Sequence, residues 1–438
     1  LTDSTEITDA SRNVEITADI SVTEGLTLAG NVNYTLYTEK AGGVTLTRGE
    51  EQTGTFLTLG AGTSLTIGRE QDEQAITYDG ADIRGTSSAF ISSPKTAGTV
   101  TINNAVIKNC DAGANGSVMS FTQSNLIVRN IVLQNNKKSN TEEDTTKNGV
   151  IYSTGKVEIY GGVYENNRHE GSSAAVLYVS GSKGKLYLYG GTFRNNVALK
   201  DGGVIKSGNS SAVYIYGGSF ENNRADNGGA IYSSSTTLEI DGTPRNSEGA
   251  EVAQDAADRV NAPLVFSGNT ATSAGGTLYL GIGNANATAT LKNFTITSED
   301  TSVYISDSAK YSMSLTATDV TVSEAEKRIV NPSSTVAFTP GVSFAPLRFA
   351  NDETEIAIDL STTKQMSEWV IQNDSGSLFT GTTPYADKTT WFTYTVEYPA
   401  DVQKALMNAT VNGGNISVSY RVNNASEWTP LSFTHNTN

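Results

Sequence analysis

The sequence predicts an all-β solenoid, and three observations point to it. A short unit recurs along the chain. Apolar and polar residues alternate within each copy. Pairs of glycine and of asparagine stand at fixed places between the alternating runs. The 438 residues include 42 Gly, 19 Tyr and one Cys, with 17% charged and 37% hydrophobic. That is not a disordered composition, because Val, Ile, Leu and Tyr recur throughout.

Three segments align without gaps: Val157-Glu-Ile-Tyr-Gly-Gly-Val-Tyr-Glu-Asn-Asn167, Leu186-Tyr-Leu-Tyr-Gly-Gly-Thr-Phe-Arg-Asn-Asn196 and Val213-Tyr-Ile-Tyr-Gly-Gly-Ser-Phe-Glu-Asn-Asn223. Their starts are 29 and 27 residues apart. Weaker copies precede them at Val100 to Asn109 and Leu126 to Asn136. Later echoes begin at Leu238, Leu291 and Leu315. A second motif lies between these: Gly-Gly-Val-Ile at 202–205, Gly-Gly-Ala-Ile-Tyr at 228–232 and Gly-Gly-Thr-Leu-Tyr at 275–279. Degenerate forms are Asn148-Gly-Val-Ile-Tyr152 and Ala174-Ala-Val-Leu-Tyr178.

The alternation has the period of a strand with one buried face. Gly-Gly and Asn-Asn mark turns, where positive φ or side-chain-to-backbone bonding is needed. The period is too short for a propeller blade. It suits one turn of a parallel β-helix of three short strands, each turn stacked about 4.8 Å above the last. The fold expected is a right-handed parallel β-helix of roughly ten coils over residues 1–340, with a small C-terminal β cap or sandwich over 341–438.

Stacking turns repeat positions into columns. Ile107, Leu133, Tyr164, Phe193 and Phe220 are expected inside the helix. Asn135, Asn166, Asn195 and Asn222 form a second column, with Asn136, Asn167, Asn196 and Asn223 beside it, each amide bonding above and below. Cys110 falls in the latter column and reads as a packed small residue. Two insertions interrupt the pattern. Residues 137–148, with Glu142-Glu-Asp144, read as a solvated loop; residues 246–261 read as a short helix. His169, in Arg168-His-Glu-Gly171, reads as a surface turn residue. Trp369, Trp391 and Trp428 all follow the repeats and are expected in the core of the cap that closes the open end. Trp391 to Tyr398 alternates as a strand, and Val411-Asn-Gly-Gly-Asn-Ile416 reads as a hairpin returning through Ser417 to Val422.

If Val157, Ile159, Leu186, Leu188, Val213 and Ile215 point inward, Glu158, Tyr160, Tyr187, Tyr189, Tyr214 and Tyr216 point outward. The second motif places Tyr152, Tyr178, Lys206 and Tyr232 outward, and Lys206 supports that parity because a buried lysine is costly. The eight tyrosines are the candidate ligand-binding residues. A ring with a polar tip suits sugar stacking and protein contact, while the same rings can simply stack on one another along the column.

Lys plus Arg total 30 and Asp plus Glu 46, a net charge of −16. This argues against nucleic acid and anionic lipid as partners. No apolar run reaches about 18 residues, so no membrane insertion is expected in this fragment. One Cys excludes a disulfide scaffold and a cysteine-rich zinc site. Glycoside hydrolysis needs paired carboxylates, and pectin-cleaving families add a Gly-His-Gly. The two histidines, His169 and His435, lie in no such motif, and there is no Asp-Asp pair. The expectation is a non-enzyme with no catalytic residue, metal or cofactor. A polysaccharide lyase or hydrolase of the parallel β-helix class remains an alternative, because carboxylates of neighbouring coils can meet in space. The chain starts at Leu1 without a basic or apolar leader and reads as a mature or excised fragment.

The alternation of Gly-Gly-Ala-Ile and Gly-Gly-Val-Ile with Phe-x-x-Asn resembles the repeats of chlamydial polymorphic outer-membrane proteins. It also resembles the adhesin-like right-handed parallel β-helix proteins of gut bacteria and archaea. The residues that carry it are Phe193-Arg-Asn-Asn196, Phe220-Glu-Asn-Asn223 and Phe266-Ser-Gly-Asn269, within clear motifs over about residues 100–280. The opening strands, Ile16 to Leu28 and Gly43 to Arg48, are similar in style to the adhesin-like group. The resemblance implies an extracellular, cell-surface protein of bacterial or archaeal origin. It would be an adhesin-type module that binds a host or microbial surface glycan or protein. A passive structural stalk is the remaining reading.

Overall fold

The computed structural model describes residues 11–322 apart from short segments, the longest being 140–148, and beyond them isolated strands as far as Thr429–Leu431. Three sheets of 21, six and 13 strands run along the molecule; they are called I, II and III below. No helix occurs among the described residues.

One coil shows how the repeat is used. Lys156–Ile159 lies in sheet I, and the chain turns a corner at Gly161 and Gly162. Gly162–Glu165 continues sheet I, Arg168–His169 joins sheet II, and Leu177–Val179 joins sheet III. Lys185–Leu188 then pairs in parallel with Lys156–Ile159, with Leu186 opposite Val157. The coil thus has four strands where three were expected. Sheet I is bent at the Gly-Gly corner into two arms, and the strands of sheet II in this region are too short, at two residues, to show a period. The corner requires glycine: φ is +112° at Gly162, +122° at Gly191 and +123° at Gly218. A Cβ at Gly162 would stand 2.4 Å from the Ile131 carbonyl oxygen.

The inner column forms as expected. Ile107, Leu133, Tyr164, Phe193 and Phe220 are in successive register and continue to Phe266. All are buried, and the rings stack at 4.5, 4.9 and 4.8 Å between centroids from Tyr164 to Phe266. Burial of each ring contributes roughly 2–3 kcal/mol, and stacking about 1 kcal/mol more.

The two asparagines of each pair have different tasks. Asn135, Asn166, Asn195 and Asn222 adopt φ of 53–55°, the left-handed turn that asparagine tolerates. Asn136, Asn167, Asn196, Asn223 and Asn269 are fully buried. Each Nδ2 in this series, from Asn136 to Asn223, donates at 3.0 Å to the Oδ1 of the next coil's asparagine. Each also donates to a carbonyl of the inner column one coil below, as Asn196 does to Tyr164 at 2.8 Å. Net worth per bond is only about 1 kcal/mol. A stacked ring of the aromatic column therefore outweighs any single amide bond, and the amide ladder fixes which residue sits above which. Cys110 is the rung before Asn136: its amide donates to Asn136 Oδ1 at 3.1 Å, and burial pushes its thiol pKa up.

His169 is not a surface turn residue. The chain continues as a strand after Asn167, so Arg168 faces out and His169 faces in, 1% exposed, between buried Lys138 and Ala198. Residues 246–261 show no helix among their described positions; Asn246 and Arg259 form an antiparallel bridge, as do Arg245 and Glu251. Residues 140–148, with the acidic run, lie outside the described residues.

Most of 341–438 also lies outside them, including the hairpin at 411–416, Trp369 and Trp428. Leu347–Ala350 still pairs in parallel with Arg328–Val330, and Glu355–Ile358 pairs antiparallel with it. Two further antiparallel pairs join Pro384–Tyr385 to Thr390–Trp391 and Val418–Tyr420 to Thr429–Leu431.

Candidate functional site

Alternation within each strand sends every second side chain outward, so the outer surface is also a set of columns. The second arm of sheet I carries charge. Asp79, Lys108, Gln134, Glu165, Arg194 and Glu221 follow one another in register. Opposite charges pair within the column, with Lys108 3.2 Å from Asp79 and Arg194 2.6 Å from Glu165. Alternating sign avoids the repulsion that identical stacked charges would suffer.

The first arm carries five of the eight predicted tyrosines. One column reads Glu158, Tyr187, Tyr214, Glu239; the next, two residues along each strand, contains Tyr160, Tyr189 and Tyr216. Tyr187 and Tyr214 stack at 4.9 Å and 10°. Tyr160 and Tyr189 stack at 4.9 Å, and Tyr189 and Tyr216 at 5.7 Å. Both ends of the longer stack are closed by guanidinium groups. Arg129 lies 4.8 Å from the Tyr160 centroid, and Arg245 lies 5.8 Å from that of Tyr216. Arg129 is also 3.6 Å from Glu70, and Arg245 is held by Asp241 at 2.9 Å.

Tyr152, Tyr178 and Tyr232 lie instead on sheet III, in a column that runs Tyr152, Tyr178, Lys206, Tyr232, Tyr279, Tyr304. Tyr232, Tyr279 and Tyr304 stack at 4.6 and 4.8 Å, whereas Tyr152 and Tyr178 are tilted by 45°. Lys206 interrupts the rings. Its Nζ donates to Asp201 Oδ2 and Ser173 Oγ, both at 2.9 Å, and lies 5.2 Å from the Tyr232 centroid. Asp201 Oδ1 accepts from Asn227 at 3.1 Å. This Ser-Lys contact resembles a catalytic pair only in composition: the ammonium is held by a carboxylate, and Ser173 is 1% exposed.

The eight predicted tyrosines thus all sit at outward positions, divided between two sheets. The ring faces turn toward neighbouring rungs, and on the first arm of sheet I the edges and hydroxyls remain for solvent, whereas the Tyr178 hydroxyl meets Ser180. Tyr160 is the most open at 45% exposure. Burial raises the phenol pKa of Tyr189, with Tyr160 and Glu158 adding to it, and burial likewise raises Tyr178, Tyr216 and Tyr232. These phenols are protonated at neutral pH and can both donate and accept. Among the described residues, none of the hydroxyls of Tyr160, Tyr187, Tyr189, Tyr214 and Tyr216 has a hydrogen-bond partner. The buried Tyr78 and Tyr164 differ: each donates to a carbonyl at 3.1 Å, of Ala89 and Gly161.

The insertion meets the first-arm wall. Asn261 Nδ2 donates to the Tyr216 carbonyl, and the Ala262 amide donates to that of Tyr189 at 3.2 Å. The sequence reading missed Tyr279 and Tyr304, although the triplets Leu278-Tyr-Leu and Val303-Tyr-Ile carry the alternation that identifies them. It also missed Arg129, which the gapless alignment of Leu126 to Asn136 places at the Tyr160 position, and Arg245, for which the sequence offers no signal. Among the described residues no cluster of His, Cys, Asp and Glu could hold a metal ion. No helix among them is long and apolar enough to cross a membrane.

The model of the Chlamydia polymorphic membrane protein repeat matches residues 217–234 and 263–281. Each match contains an inner-column phenylalanine, a ladder asparagine and the glycine pair before a sheet III strand. No curated protein and no solved structure matches the chain. The matched motif is what builds the coil, and the chain is accordingly a parallel β-helix protein made of repeats like those of the Chlamydia polymorphic membrane proteins.

Proposed function

We propose that this chain is an extracellular or cell-surface binding module of the adhesin type. It would recognise a host or microbial-community glycan or protein on its tyrosine-lined outer surface. The observation that carries this reading is the five-tyrosine wall on the first arm of sheet I, whose hydroxyls have no partner among the described residues. A column that only stabilised the coil would need the ring faces alone. Similarity to a membrane protein repeat supports the surface location. The net charge of −16 and the alternating charge column keep the rest of the exterior hydrated.

Binding to glycan arrays and immobilised mucin, wild type against Tyr187→Ala/Tyr214→Ala, tests the reading. Loss of binding in the folded variant supports it. Equal binding removes the wall from the site, and no binding by either protein favours a passive stalk.

A further inference from the structure

We propose that the ligand of the first-arm wall is an extended β-(1→4)-linked glycan lying parallel to the solenoid axis, read at one sugar per coil. This rests on the binding-module reading and names its ligand class.

The inference follows from spacing and from which part of each ring is available. The wall repeats along the axis at 4.9, 4.9 and 5.7 Å between ring centroids. A polymer making the same contact on every coil must advance by about that distance per unit. An extended polypeptide advances about 3.3–3.6 Å per residue and returns a side chain to the same face after roughly 7 Å. It falls out of step within one coil. A chain of pyranoses joined through equatorial β-(1→4) linkages advances by about one rung per sugar; successive sugars turn over, but both edges carry hydroxyls, so every coil still meets one that a phenol can bond, whereas α-(1→4) chains curl away from a straight axis.

In the longer column the ring faces are occupied by neighbouring rings and by Arg129 and Arg245, and in the shorter one Tyr187 and Tyr214 cover each other and turn their outer faces to the Glu158 and Glu239 rungs, so a sugar running along the axis meets ring edges rather than a flat face. Hydroxyls and ring edges are what the wall offers. Each phenol can donate to one sugar hydroxyl and accept from another. The two columns stand roughly 7 Å apart along the strands, leaving a shallow furrow between them that runs along the axis. Residues 261–262 lie beside it. Its length is set by charge: Glu158 and Glu239 bound one column, and the two arginines bound the other. Three coils of tyrosine therefore accommodate about three to four sugars at one rung each.

The test is titration calorimetry of the full chain with cello-, chito- and manno-oligosaccharides of two to six sugars. Malto-oligosaccharides serve as the curled control. At least one β-(1→4) series should gain several-fold in affinity per sugar up to four and then level off. Tyr187→Phe/Tyr189→Phe/Tyr214→Phe should lose ten-fold or more at unchanged melting temperature. The proposal is overturned if no β-(1→4) series binds, if affinity is flat from the disaccharide onward, or if the malto series binds equally well. If every oligosaccharide fails while a protein ligand is lost in Tyr187→Ala/Tyr214→Ala, the module reading stands and the glycan inference falls.

Discussion

Asn167 Nδ2 donates at 3.0 Å to Oδ1 of Asn196, one coil above, and both residues are fully buried. The same Oδ1 takes the backbone N–H of Asn167 at 3.0 Å. Asn196→Ala therefore leaves two buried donors without their acceptor, and a cost of about 3 kcal/mol is expected. Its neighbour Asn195 has φ of 55° and serves the turn. Asn195→Ala should cost only about 1 kcal/mol. Urea unfolding of the two variants measures both, and equal losses would contradict the division of labour between the columns.

Backbone sign matters equally at two turns. Gly162→Ala combines φ of +112° with a Cβ 2.4 Å from a carbonyl oxygen, and should destabilise by roughly 1–3 kcal/mol. Ala174 occupies the left-handed position, φ 62°, that Gly202, Gly228 and Gly275 hold in later coils. Ala174→Gly relieves about 1–2 kcal/mol of that strain and gives back part of it as chain entropy, about 0.4–1 kcal/mol. A small rise in melting temperature is expected, and a fall would contradict the turn assignment.

The stacked tyrosines make stability depend on alkaline pH. Burial raises Tyr279 from 10 to about 12, with Tyr304 and Asp201 adding to it, and burial raises Tyr164, Tyr216 and Tyr232 in the same direction. The folded chain holds these protons more tightly than the unfolded chain. Their contribution is complete below pH 10 and declines as pH rises above it, that of Tyr279 over 10 to about 12. Melting temperature should fall across that window. Phenolate absorbance should rise late, together with unfolding; full titration of a folded chain near pH 10 would refute this.

Much of the fold was legible because the repeats align without gaps, so inner and outer positions follow from parity alone. Tyr164, Phe193 and Phe220 needed no further information, and neither did the outward tyrosines. What was hidden lay where strands have two residues or where partners come from distant segments. Lys137–Lys138 and Arg168–His169 are too short to show a period, so buried Lys138 and His169 gave no sign in the sequence. Arg129 was legible, since the copy beginning at Leu126 aligns it with Tyr160, whereas Arg245 reaches Tyr216 from the root of an insertion. The interruption of the sheet III rings by Lys206 was visible, but its clamp to Asp201 and Ser173 depends on loops from two coils. The division of the tyrosines between two walls depends on the corners of the coil, which periodicity does not report.

In the proposed function the outward hydroxyls of the first-arm wall bind, while the rings behind them only hold the coil. Tyr187→Phe/Tyr214→Phe separates the two, since it keeps the 4.9 Å stack and removes the hydroxyls. Glycan-array and mucin binding should be measured beside the melting temperature of the same preparation. The melting temperature should be unchanged and binding should fall at least ten-fold, about 1.4 kcal/mol. Unchanged binding in the folded variant would contradict the proposed function.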